Sequence, residues 1–551
     1  MASLATRTPV NVEALDTITA AQFDAKSPTI ATKQMWKLLN DGSPANRRPM
    51  QRTARKLKLG IAMTKLVTMR VLHGHKRMLF PVLLLLLAMA VLVVLILGSA
   101  PPLILPRPLM ASLTPPPRGL LSPAPMGRHA RADVRLHKVG TSRVLAFSAY
   151  LDTRGDGQPL LRVFALAPRG PPWLWPWQWS WPWRWPRWRW WSFGKASCRM
   201  FYGDAEPRRA ISVAATPKMP SNHYNFEFAV FNFLCRVPKG EALPSHVALV
   251  MDEEGGASST SSIFSSVLMP VQNREPSPPR HHFGVCLPTL FGGFSDALLL
   301  VQSMELYRLL GAGFVTVYNT SVSPQVDALL RHYARSGFMD VQQWPITDFL
   351  NPSTGWDINV NPGDLHYYGQ IATLNDCLYR NMYRARYLAM HDLDEIIIPR
   401  EWPNWPKMME ALSKHGASAY YFRMHNFPVA ETATRVSSSG LRVHGTDILG
   451  HVDKVTYPPG DVASKVLLQP RGIEFHDVHR VLALRPGHGL RRVPDSQATV
   501  QHYKRWRKDW NFPSHAELTR DMNLLRYAGD IERAVKRTLD AIGDDISTEL
   551  S

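Results

Sequence analysis

Cysteine is scarce, with four in 551 residues, and no two are spaced as Cys-x-x-Cys. That excludes the usual structural zinc site. No glycine-rich phosphate loop occurs, so the charge of any bound nucleotide would be met by metal and side chains. Zinc-finger spacing, RNA-binding sheet motifs and basic helices with heptads are also missing. The net charge of +20 therefore does not argue for nucleic acid as a partner. Much of that charge is local: the segment before residue 79 holds 14 Lys and Arg against 4 Asp and Glu. Residues 1–78 lack apolar periodicity and read as a disordered, basic cytosolic tail.

What the chain does have is one long apolar run. Leu79 to Leu97, LFPVLLLLLAMAVLVVLIL, is 19 residues without a charge. As a helix it would rise roughly 28 Å, enough to cross a bilayer core. Lys65, Arg70, Lys76 and Arg77 precede it, and only Arg107 and Arg118 follow nearby. The excess of positive charge on the N-terminal side predicts a single-pass type II signal anchor with the rest of the chain in the lumen. The lipid bilayer is then a partner through residues 79–97. All four cysteines fall beyond the anchor, in an oxidising compartment. Of the three possible pairings, Cys198–Cys235 and Cys286–Cys377 are preferred, because each pair stays within one proposed domain. Asn319-Thr320-Ser321 is an N-glycosylation sequon on the same side.

Residues 98–133 are dense in proline and read as an extended stem. Residues 134–275 carry short strand patterns separated by turn residues, a small β-rich module. Residues 173–191 interrupt it with ten of the chain's 17 tryptophans. This insert reads as a carbohydrate-stacking or interfacial loop, or as a low-complexity insert without a role, with the second favoured. From residue 282 to about 535, strands and helices alternate. Helices are expected over Ser295–Leu310, Ser323–Ser336 and Leu365–Tyr383, and the βαβα order predicts an α/β fold with a mostly parallel sheet. Ligands of such sheets bind beyond the strand carboxyl ends.

At one such end stands Tyr387–Arg400, YLAMHDLDEIIIPR. Two buried-strand patterns flank Asp392, Asp394 and Glu395. Three carboxylates in four residues need neutralising in such a place, and a divalent cation takes carboxylate oxygens. Asp-x-Asp at a strand end suits a metal that clamps a diphosphate. The competing reading is a solvated acidic turn.

The run NDCLYRNMYRARYLAMHDLDEIIIP (Asn375–Pro399) resembles glycosyltransferase family 92. The resemblance extends to VCLPTLFGG (Val285–Gly293) and through Gly311–Trp344. It continues more loosely in SKVLLQPRGIEFHDVH (Ser464–His479) and His502-Tyr503-Lys504, covering about residues 282–510. It implies a nucleotide-diphospho-sugar transferase fold of the GT-A-like kind in a Golgi or other secretory-pathway membrane. It further implies inverting transfer of a hexose, galactose from UDP-galactose, to a glycan on glycoprotein or glycolipid, aided by a divalent metal such as Mn²⁺. Carried over, Asp392 and Asp394 hold the metal and His479 completes its shell, as neutral imidazole can. Glu395 orients that shell or caps the next strand. Lys465 contacts the diphosphate or is an ordinary surface lysine. Gln370 and Asp376 face the nucleotide, although Asp376 also suits a pair with Arg380 four residues on. Inversion needs a base. Glu474, Asp477 and Glu431 are the candidates, and none stands out in the sequence.

Two other classes compete. A hydrolase of the haloacid-dehalogenase type also places Asp-x-Asp after a buried strand, but Glu395 and three isoleucines follow here, and the anchor points the wrong way. A catalytically silent glycan-binding protein of the same fold is the other alternative.

Overall fold

The computed structural model describes residues 133–549, except 156, 170–194, 204–208, 221, 252–266, 439, 457–462 and 506–516. The basic tail, the apolar run 79–97, nearly all of the stem and the Trp-rich insert lie outside the described residues. Among the described residues, no helix is long and apolar enough to cross a membrane.

The N-terminal β-rich part is a nine-stranded sheet, antiparallel except where Leu145–Asp152 runs alongside Met269–Gln272. Its central strand Leu160–Pro168 is buried on both faces. Val163 and Ala165 point into the module's own core. Phe164 and Leu166 join a second core with Phe314, Trp344, Leu374 and Cys377 of the following domain. Burial on both sides is why LLRVFALA is nearly continuous in apolar residues rather than alternating. Cys198 and Cys235 are disulfide-bonded within this module.

The second domain opens with strand β1 (His281–Leu290), helix α1 (Ala297–Leu310), β2 (Ala312–Asn319), α2 (Pro324–Arg335) and β3 (Met339–Gln343). Helix α3 (Gln370–Arg380), β4 (Ala385–Met390) and β5 (Glu395–Pro399) follow. Then come α4 (Trp405–Leu412), β6 (Ala419–Val429), β7 (Ser464–Leu468), the hairpin β8 (Ile473–His476) and β9 (Val481–Leu484), β10 (Leu490–Arg492), β11 (Ala498–Arg505) and α5 (Ala528–Glu549). The main sheet has the order β3-β2-β1-β4-β7-β6-β11-β5, with β10 beside β6. It is mixed, with parallel pairings at β3-β2-β1-β4 and at β6 with β10 and β11, and antiparallel ones at β7 and β5. Strand β7 runs antiparallel to both β4 and β6, and β5 runs antiparallel to β11. Because β7 is inverted between them, β4 and β6 point the same way.

Helix starts follow the local chemistry. Asp296 caps α1 by accepting from Leu299 N–H, and Ser323 caps α2 at Val326 N–H, as short polar side chains do. The helix expected from Leu365 begins five residues later. Tyr367, Tyr368 and Gly369 are all left-handed, with φ of 41°, 55° and 78°, and a helix cannot pass through them. A β-carbon on Gly369 would also press on Leu365 and Trp344 at 3.2 Å. The Cys286–Cys377 disulfide then ties α3 to β1.

Polar groups bolt the two domains together. Asp376 on α3 is fully buried. It accepts from Tyr150 of the module at 2.7 Å, from Tyr318 at 2.5 Å and from Arg380 Nε at 2.9 Å. Arg154 of the module donates to the Ile473 carbonyl at 2.7 Å while pairing with Asp152 at 2.8 Å. This surrounding encloses Asp376 in the core and bears out the pair with Arg380 that the sequence offered beside the nucleotide-facing role. Asp376→Ala is expected to cost about 3–5 kcal/mol, because it strips the carboxylate from a buried Arg380 guanidinium. Thermal denaturation checks this, and an unchanged midpoint with lost activity would restore the substrate role.

Candidate functional site

The carboxylates emerge where the parallel half of the sheet ends. Strand β4 finishes at Met390, and residues 391–394 turn, with Glu395 N–H closing onto the Asp392 carbonyl at 3.1 Å. Tyr503 N–H of β11 holds the Asp394 carbonyl at 2.8 Å, and Ser303 Oγ of α1 holds that of Leu393 at 3.2 Å. Three elements therefore fix the backbone of the turn.

Lys465, on β7, is the counter-charge. It is 1% exposed. Its Nζ lies 2.7 Å from Glu395 Oε2, 3.1 Å from Asp392 Oδ2 and 3.0 Å from the Val478 carbonyl. The reading of Lys465 as a surface lysine is therefore overturned. Burial disfavours its charge, but the two carboxylates outweigh that and raise its pKa. Glu395 is also buried, at 3% exposed, so it faces Lys465 rather than solvent.

Asp392 and Asp394 differ from Glu395. Their side chains are 27% and 35% exposed. Gln370, the first residue of α3, donates to Asp392 Oδ1 at 2.7 Å. The left-handed turn before α3 is what brings Gln370 there. Such backbone is costly at non-glycine residues and is found where a site requires it. Crowding by protein atoms raises the pKa of Asp392, with Glu395 adding to the effect and Lys465 opposing it.

Histidines complete the surroundings. His502 faces the cluster because β11 pairs it opposite Glu395. Its Nε2 is 3.4 Å from Asp394 Oδ2, and its Nδ1 is 3.7 Å from Glu395 Oε1. Burial would lower its pKa, but Asp394 and Glu395 win and raise it. Sequence reading noted His502 only as part of a closing His-Tyr-Lys element and missed its place at the site. His479, beyond β8, has its Nδ1 3.3 Å from the Ser464 carbonyl. Burial and Lys465 lower its pKa to about 4 against the pull of Asp392, so the ring is neutral at pH 7. His391, buried behind the turn, is likewise lowered to about 4 by burial.

Among the described residues, no three His, Cys, Asp or Glu side chains converge on one metal position. Asp392, Asp394 and His479 thus do not form a closed protein cage. Two partly exposed carboxylates still suit a hard divalent cation whose remaining ligands are waters and phosphate oxygens of a substrate.

The three candidate bases separate. Glu474 is engaged by Lys218 of the module at 2.6 Å, with Arg162 at 3.8 Å. Asp477 is 1% exposed and accepts from Asn222 and Val478 N–H, each at 2.7 Å. Glu431 alone is exposed, just past the end of β6, on an open depression of about 520 Å³ with Thr432 and Arg505. Asn319, the sequon asparagine, ends β2 at the same sheet edge and is half-buried, its Oδ1 enclosed.

The fold and site together define a mixed α/β domain with an acidic, lysine-neutralised centre at the carboxyl ends of its strands. Residues 281–535 match the model of glycosyltransferase family 92 and form a domain of that family. Three Caenorhabditis elegans proteins illustrate the similarity. Glycosyltransferase family 92 protein C33H5.2 is 32% identical over 22% of this chain and 24% of its own length. Glycosyltransferase family 92 protein F13G3.3 is 31% identical over 25% of this chain and 27% of its own length. Beta-1,4-galactosyltransferase galt-1 is 27% identical over 22% and 26%, respectively. The chain spans only about a quarter of the length of these curated relatives.

Lys465→Ala is expected to destabilise the protein by about 3–5 kcal/mol, since it leaves Glu395 buried without its cation. Chemical denaturation measures this. A change below about 0.5 kcal/mol would match an exposed lysine instead.

Proposed function

We propose that this protein is an inverting hexosyltransferase of GT-A-like architecture, moving galactose from UDP-galactose to a glycan acceptor. The observation that carries this reading is the partly exposed Asp392–Asp394 pair at the end of β4, backed by buried Lys465. The family of residues 281–535 and the name of the relative galt-1 support transfer and the choice of galactose.

Asp392 and Asp394 would hold a divalent cation such as Mn²⁺, which supplies neutralising charge for the departing diphosphate. Gln370 fixes the Asp392 carboxylate from one side and Lys465 from the other. In the transfer, an acceptor hydroxyl oxygen bonds to the anomeric carbon from the face opposite UDP. The bond from that carbon to the diphosphate oxygen breaks with both electrons going to UDP, and the hydroxyl proton passes to a base. Glu431 is the exposed carboxylate at the same edge, since β6 points the same way as β4. The apolar run 79–97 anchors the chain as a type II protein of a secretory-pathway membrane, the Golgi in this reading, with the disulfide-bonded part in the lumen.

The test is UDP release by the purified full-length chain, with UDP-sugars and glycan acceptors, with and without Mn²⁺. Release from UDP-galactose that needs Mn²⁺ and falls at least roughly 100-fold in Asp392→Asn/Asp394→Asn is expected. Release that survives the double substitution would contradict the reading. A silent protein would bind glycans in both forms and turn over none. Glu431→Gln is expected to lower kcat by roughly 100-fold or more with donor KM unchanged, as loss of a general base does. An unaltered kcat rules Glu431 out.

A further inference from the structure

The β-rich module lies before the segment that matches the family, yet its loop at Asn222–Asn225 reaches the site. Asn222 Nδ2 donates to Asp477 Oδ2 at 2.7 Å, and the Tyr224 hydroxyl lies 3.4 Å from Asp477 Oδ1. The same Oδ1 accepts Val478 N–H at 2.7 Å. The Val478 carbonyl in turn accepts from Lys465 Nζ at 3.0 Å, and that ammonium holds Asp392 and Glu395. Hydrogen bonds joined through the backbone of Val478 thus run from the module to the carboxylates.

A second route starts from the same loop. The ring of Tyr224 stacks on His366 at 3.9 Å with the planes 11° apart. His366 leads into the left-handed residues Tyr367 and Tyr368, which set Gln370 against Asp392. The loop itself holds unfavourable backbone, with φ of 52° at Tyr224 and 64° at Asn225. Strain of this kind persists only where the surroundings enforce it. Here the Arg169 side chain grips the Phe226 carbonyl and contacts His223 at 2.9 Å.

We propose that Asn222 and Tyr224 are positioning residues for the donor site, so that the β-rich module sets the placement of Lys465 and Asp392 and does not serve as a separate binding unit. The idea rests on the transferase reading for its kinetic consequence, but not for its structural one. Asp477, fully enclosed, is the joint through which the loop acts. A buried carboxylate that loses a donor is left unsatisfied at a cost, and any shift of Asp477 to relieve it is passed to Val478 and Lys465 through their hydrogen bonds.

The experiment compares Asn222→Ala with Lys218→Ala in the full-length chain. Lys218 is a control because it pairs with Glu474 from the same module without touching Asp477. Backbone hydrogen exchange is followed by mass spectrometry, which needs no turnover. Asn222→Ala is expected to speed exchange in both 474–480 and 390–396, with the thermal midpoint lowered by a few degrees and the chain still folded. Donor KM should rise roughly three- to tenfold with little change in kcat. Lys218→Ala, which frees Glu474, should leave exchange at 390–396 and the donor KM unchanged. Faster exchange confined to 474–480, an unchanged donor KM beside an active wild type, or equal effects from Lys218→Ala would each overturn the proposal. If Asp392→Asn/Asp394→Asn keeps full turnover, the transferase reading fails on its own. The exchange at 390–396 then still decides whether the module positions the carboxylates.

Discussion

One buried ammonium organises the site. Three carboxylates at a strand end repel one another and lose hydration, and without Lys465 the turn at 391–394 would open to water. With Lys465 between Glu395 and Asp392, one carboxylate is fully neutralised and hidden while the other two keep an open face. That asymmetry gives the cluster a chemical use. A buried ion pair adds little net stability over an apolar substitute, and breaking it is costly. Its worth lies in where it leaves Asp392 and Asp394.

The inverted strand β7 is what delivers Lys465. In a parallel sheet throughout, the neighbour of β4 would run alongside it. Because β7 runs antiparallel, its beginning lies beside the end of β4, and Lys465, its second residue, falls next to the turn. The β-rich module then presses on the other end of the same arrangement through Asp477 and His366. The two domains share a core and several buried polar contacts, so they form one mechanical unit.

Much of this was legible in the sequence because it rests on local pattern. The alternation of strands and helices, the cap at Ser323 and the acidic turn between two buried runs are all short-range signals. Four features were not. Lys465 looked like a surface lysine because its carboxylate partners lie 70 or more residues earlier. Asp376 looked able to face a nucleotide, since nothing local reveals Tyr150 of a separate domain. The helix expected from Leu365 failed at Tyr367 and Tyr368, which carry no left-handed signal of their own; only Gly369 hinted at a break. The mixed sheet was hidden for the same reason as Lys465: strand direction after β4 is decided by non-local pairing.

The central claim is that Asp392 and Asp394 form a metal-assisted diphosphate site. Calorimetric titration of the full-length chain with UDP, with and without Mn²⁺, tests it without any acceptor. The account predicts one UDP bound per chain only when Mn²⁺ is present, and none in Asp392→Asn/Asp394→Asn. Equal UDP binding without metal, or in the double variant, would contradict it.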